Sequence, residues 1–251
     1  MTRSYSLVFI TLLALGGCAT TQPPHNPFKI PEAEFHGKIR TIALAPVQLP
    51  DGLEQPDPVK AKFETLVDAK LRAQGFAVVP SSEYTAVWKR MIEQLGGYFD
   101  PLTGKKDETK FKAVRTHSLR ELNARFKADA VLHPAVRVVP ARFSNNTASW
   151  DGVTDTVLAG GGGWQAIFAG PRQGTISALT FMVFIEDPNE VLMYSNGGGL
   201  QVANKLSGST FILVPQNELF VDPERNQTAV NLALDALATA PTATPAAAGK
   251  N

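Results

Sequence analysis

Cys18 is the single cysteine among 251 residues, the one side chain that could act as a thiol. It follows Leu15-Gly16-Gly17 and an uncharged apolar run from Leu7 to Leu15, with Arg3 upstream. With no second cysteine, no intramolecular disulfide or cysteine-based zinc site can form. The other spacings that could do chemistry fail. His25, His36, His117 and His133 fall at no metal-ligand spacing, and His-Glu-x-x-His is absent. Ser195 has Gly197 after it but Met193 before it, which breaks the nucleophile elbow Gly-x-Ser-x-Gly. Gln165 stands where a dinucleotide fingerprint starting at Gly160 needs its third glycine. Gly104-Lys105 lacks the earlier glycine of a phosphate loop, where Phe99 stands, and the following Ser or Thr. Asp100, Asp107 and Glu108 supply oxygen ligands without EF-hand order. Asp151 and Asp155 would share one side of a strand through 147–158, but acid–base work also needs a pocket and a set separation. The expectation is a protein that is not an enzyme and holds no metal or cofactor.

The N-terminal features resemble the signal peptide and lipobox of bacterial lipoproteins. The resemblance implies removal of residues 1–17, a lipid on the Cys18 sulfur and attachment to a membrane. The apolar run is too short to span a bilayer, which takes roughly 20 residues in a helix, and no later stretch reaches that length. Each buried acyl methylene stabilises attachment by about 0.8 kcal/mol. Ala19 stands where an Asp often signals inner-membrane retention in that family. The resemblance therefore implies an outer-membrane location, facing the periplasm of a Gram-negative cell.

Composition narrows the rest. The chain carries a formal charge of +1, falling to 0 without Arg3. That balance argues against nucleic-acid binding, which uses concentrated basic surface. Charge is uneven: Lys105 to Lys127 holds eight Lys/Arg against three Asp/Glu. This stretch reads either as a solvated helix face or as a contact for anionic lipid, glycan or a partner. Residues 156–171 carry no charge and include four consecutive glycines, then Trp164, Ile167 and Phe168. The three apolar side chains can fold back on the domain, contact a neighbouring protomer or the lipid interface, or belong to a membrane-crossing hairpin. Four glycines and poor alternation weigh against the last.

The elements that would position these residues are legible in outline. Residues 18–38, with four prolines after Cys18, suit an extended tether. Residues 39–237 form one candidate domain, and 238–251 a low-complexity, disordered tail. Arg40 to Val47 reads as a buried strand. Asp57-Pro58 opens a helix with Val59, Phe63, Leu66, Val67 and Leu71 on one face, stopped at Gly75. Phe76 to Val79 is a strand. A helix capped by Ser81 or Ser82 and ended by Gly96-Gly97 buries Tyr84, Val87, Trp88, Met91, Ile92 and Leu95. Another runs from Ser118 to Lys127, and Ala130 to Val139 returns to the sheet. Residues 147–158 and 174–187 read as strands, the second turning at Asp187-Pro188-Asn189-Glu190 into Val191 to Ser195. Asn226 to Leu237 is the last helix. The expected fold is α/β, with one mixed sheet and helices mainly on one side.

This order resembles a periplasmic lipoprotein superfamily with an anticodon-binding-like α/β fold. It includes the curli-secretion channel lipoprotein, the Pel polysaccharide-export lipoprotein and the N-terminal domain of the Tol-system propeller protein. The strand Ile39 to Val47 carries the likeness, with the helix ending at Gly75 and the strand Phe76 to Val79. The step Phe126-Lys127-Ala128-Asp129-Ala130-Val131-Leu132, the hairpin Val183 to Gly198 and the late helix after Asn226 complete it. The loop 96–112 and segment 156–171 depart from the pattern. The resemblance implies a non-enzymatic role in envelope assembly, export or scaffolding, with envelope proteins as partners, often as a homo-oligomeric ring. It brings no shared catalytic residues. The alternatives are a periplasmic glycan- or small-ligand-binding module using 105–127 and, with the weakest support, an envelope hydrolase.

Overall fold

The computed structural model describes residues 25–159, 173–208 and 210–238 of the chain. Its centre is a parallel trio: β1 (Thr41–Leu44) lies between β2 (Ala77–Val79) and the start of β3 (Ala130–Ser144). Parallel neighbours cannot be joined by a tight turn, so each link is a helical crossover. α2 (Pro56–Ala73) joins β1 to β2, and α3 (Ser81–Gln94) with α4 (Glu108–Phe126) joins β2 to β3. The first crossover steps outward from β1 and the second steps back across it. Both are expected to be right-handed, which puts them on opposite faces. Ile42 and Leu44 accordingly pack with Phe63, Val67 and Leu71 of α2. Ala43 and Ala45 pack with Val87 and Met91 of α3 and Leu122 of α4. The fold is mixed α/β with a mixed sheet, but the expectation of helices mainly on one side is corrected. α1 (Glu32–Lys38), α2 and α5 (Pro223–Leu234) cover one face, and α3 with α4 part of the other.

The later strands are antiparallel. β6 (Gln173–Glu186) pairs with β3 along its length and with β7 (Leu192–Val202) on its other side. β4 (Thr147–Trp150) and β5 (Val153–Thr156) extend the sheet from the far end of β3. A separate hairpin joins β8 (Asn204–Ser207) to β9 (Thr210–Leu213). Pro134 and Pro140 sit inside β3 without breaking its ladder to β6. Gln48 N–H donates to the Pro134 carbonyl at 2.9 Å and Val136 N–H to the Gln48 carbonyl at 2.7 Å. Even-numbered residues of β3 thus aim their main-chain groups away from β6, and the missing proline N–H groups fall on that edge.

Three expectations change. Residues 147–158 are not one strand but the β4–β5 hairpin, turned by Asp151-Gly152 with φ of 39° and 81°. Two central residues at positive φ make the kind of turn that Asp-Gly favours. α4 begins ten residues before Ser118, because Asp107 caps it by accepting from Lys110 N–H at 3.0 Å. The described part of the proposed tether, residues 25–38, is docked. Ser195 N–H donates to the Pro27 carbonyl at 3.0 Å and Lys29 N–H to the Met193 carbonyl at 2.8 Å, adding a short strand to the β7 edge. Phe28 and Phe35 are buried there, with Phe28 packed edge-on to Phe35 and Tyr194. The apolar area these rings remove from water outweighs the extended bias of the prolines.

Candidate functional site

On the α3/α4 face the helices stop short, and the sheet floor continues beyond them. Alternate residues of a strand share a face, so His133, Ala135 and Arg137 of β3 point the same way as Phe184 and Glu186 of β6. This floor lies in a cleft of ≈ 1230 Å³. One wall is α3 and α4, presenting Tyr84, Thr85, Trp88, Phe111 and Arg115. The other is the loop after β1, with Pro46, Gln48 and Pro50. That loop is tied down from both sides. Gln48 bridges to β3, and Gln216 accepts from Glu54 N–H at 2.8 Å while donating to the Gly52 carbonyl at 2.9 Å. Glu64 of α2 links the two walls: it accepts from Val47 N–H at 3.3 Å and from the Ser81 hydroxyl at 2.5 Å.

The aromatic wall is itself ordered. Trp88 stacks on Tyr84 with centroids 6.0 Å apart and meets the edge of Phe111 at 5.8 Å. Lys106 Nζ sits 3.4 Å over the Phe111 ring, a favourable cation–π contact. The basic stretch 105–127 therefore divides: Arg115 lines the cleft and Lys106 covers Phe111 from outside, while Lys105, Lys110, Lys112, Arg120, Arg125 and Lys127 are exposed.

An ionic cluster closes one end. Glu186 is buried, with 6% of its surface exposed. His133 Nε2 lies 2.8 Å from its Oε1, and Arg115 Nη2 donates to its Oε2. Arg115 also pairs with Glu190, which accepts from the Thr116 hydroxyl. Burial pushes the Glu186 carboxyl up, but the hydrogen bonds and charges of His133 and Arg115 together hold it below its ordinary range. An ionised carboxylate only accepts, so His133 Nε2 carries a proton. Burial first, and the Glu186 charge second, push the Tyr84 phenol up, which keeps it a donor. A general base needs an available lone pair and a pKa near the working pH. Glu186 is tied to His133 through one oxygen and to Arg115 through the other, a geometry that fits a clamp fixing α4 to the β6 end.

The residues singled out in the sequence are dispersed. Cys18, Trp164, Ile167 and Phe168 lie outside the described residues. Asp151 and Asp155 do not form a pair: the turn separates them. Asp151 accepts from the Thr180 hydroxyl at 2.6 Å, and Asp155 holds Arg225 of α5 through two bonds of 2.8 and 3.1 Å. Their structural duties replace the proposed shared chemistry. Asp100 accepts from Leu102 and Thr103 N–H in its own turn. Sequence reading passed over the His133–Glu186–Arg115 cluster. Its one local signal is a charge ending the otherwise uncharged strand run 174–185, on the face that also takes His133.

No family model matches the chain, and no curated protein matches it. Among solved structures, a PelC dodecamer from Paraburkholderia phytofirmans is similar at 11% identity and a TM-score of 0.35. The match covers 81% of this chain and 91% of that one.

Proposed function

We propose that this protein is a lipid-anchored, non-enzymatic component of the bacterial cell envelope that receives a binding partner in the cleft between the sheet and α3/α4. Cys18 holds it to the outer membrane on the periplasmic side. Trp164, Ile167 and Phe168 remain candidate contacts for a second copy or an envelope protein. The observation that carries a binding role over catalysis is the state of the cleft's charged groups. Glu186 and Glu190 are engaged by Arg115, His133 and Thr116, whereas the aromatic wall of Tyr84, Trp88 and Phe111 is large and lines the cleft. Apolar walls with a few placed polar groups are the usual make-up of a ligand site.

Two measurements test it. Membrane fractionation should find the wild-type chain with the outer membrane and Cys18→Ser in the soluble periplasm; equal distribution contradicts the anchor. A photo-crosslinking amino acid at Thr85, inside the cleft, should give a discrete adduct in intact cells, while one at Lys89, exposed on the same helix, should not. Adducts no stronger from Thr85 than from Lys89 would remove the cleft from the role.

A further inference from the structure

We infer that the cleft takes an acidic saccharide, an inference that rests on reading the cleft as a binding site. Three observations lead to this class. First, the main chain of the floor is spent. β3 at 133–137 is paired with β6 on one edge and with Gln48 on the other, and β6 is itself paired with β7. An extended peptide gains affinity by adding a strand to a free edge, and at 133–136 this floor offers none. A sugar ring needs no such edge. It lays its apolar C–H face on an aromatic side chain and satisfies its hydroxyls with side-chain donors and acceptors.

Second, the cleft supplies both kinds of group on different surfaces. Trp88 and Phe111 give the aromatic wall; Gln48 and Arg137 give polar groups on the opposite wall and the floor. The volume of ≈ 1230 Å³ exceeds the usual range for a single small ligand, about 300–1,000 Å³, and suits an occupant of several rings.

Third, the floor holds a cation without a carboxylate partner, while the cleft's Asp51 stands on the loop wall. Arg115 is shared between two carboxylates, but Arg137 donates only to the uncharged Gln48 Oε1, at 3.1 Å. No carboxylate pairs with Arg137 among the described residues. A planar guanidinium held at one corner by a neutral amide is suited to a ligand carboxylate. Sugar rings bearing carboxylates meet both demands: a face for Trp88 and an anion for Arg137.

Calorimetric titration of the full-length protein in detergent tests this with three probes: a six-residue oligogalacturonate, maltohexaose and hexaglutamate. Oligogalacturonate should bind, hexaglutamate should not, and maltohexaose should bind more weakly. Trp88→Ala should weaken oligogalacturonate at least about tenfold, as loss of a central aromatic anchor does. Arg137→Gln should bring oligogalacturonate down to the maltohexaose level. Should Trp88→Ala fail to fold by circular dichroism, Thr85→Trp, which fills the cleft from α3, replaces it and should abolish binding. Silence of both sugars, hexaglutamate binding as tightly as oligogalacturonate, or cleft variants that bind normally would each overturn the inference. If the sugars are silent while the Thr85 crosslink persists, the saccharide is wrong and the binding cleft stands. If both fail, both readings fall.

Discussion

The two faces of the sheet do different work with the same strands. On the face covered by α1, α2 and α5, the contacts are apolar and closed: Phe63 stacks on Phe181 at 5.1 Å and meets Phe220 edge-on at 5.9 Å. The Tyr194 hydroxyl is satisfied within it, donating to the Ala233 carbonyl at 2.7 Å. α5 approaches β7 so closely that a Cβ on Gly198 would lie 2.1 Å from the Ala229 carbonyl oxygen. The opposite face is covered by α3 and α4 only as far as Val131. Beyond it, His133, Arg137 and Glu186 share the cleft floor with Ala135 and Phe184, and apolar packing resumes only at the far end, with Ala141, Phe143 and Ile176. The contrast implies that stability and binding can be damaged separately, one face at a time.

The largest effect should come from the closed face. Phe63→Ala should cost about 3–5 kcal/mol in urea unfolding, because it leaves a cavity beside Phe181 and Phe220. Gly198→Ala should cost about 1–3 kcal/mol as α5 is displaced by one methyl group. A change under 0.5 kcal/mol in either, about the size expected of a surface substitution, would mean that this face is not the source of stability.

Changes in the cleft should be smaller and of another kind. Glu186→Gln should cost about 1–2 kcal/mol near pH 7, less than a fully buried pair because Arg115 is 36% exposed. Glu186 is held below its ordinary value of 4.5, so its contribution is full above that pH and is lost as pH falls through the folded-state value. The stability gap between wild type and Glu186→Gln should therefore narrow as the pH falls below 4.5. A gap unchanged at pH 3 would show that the carboxylate is not an ionised clamp. Arg137→Gln, at an exposed position, should move stability by less than about 0.5 kcal/mol while reducing acidic-saccharide binding. Were it to destabilise the fold by several times that amount, the division between the two faces would be blurred.

Much of the closed face was legible in the sequence. Val59, Phe63, Val67 and Leu71 recur at helical spacing, and the turn Asp187 to Glu190 marks the β6–β7 hairpin. These signals are local. The side on which a crossover helix lands is not local: it follows from strand order and handedness, which no periodicity records. Docking of Phe28 and Phe35 escaped because the prolines around them suggest extension, and only Tyr194, far along the chain, shows what they pack against. Asp151-Gly152 was a readable turn inside a stretch taken as one strand. The cleft was least legible. His133 and Arg115 lie 53 and 71 positions from Glu186 along the chain and meet it only through the β3–β6 register and the placement of α4.

The measurement that bears most directly on the division of labour is photo-crosslinking in intact cells from one position on each side. Thr85 lines the cleft, and Thr65 is exposed on the outer surface of α2 over the closed face. A discrete adduct from Thr85 and none from Thr65 is the expected result. An adduct from Thr65 with none from Thr85 would place the partner on the closed side and contradict the account.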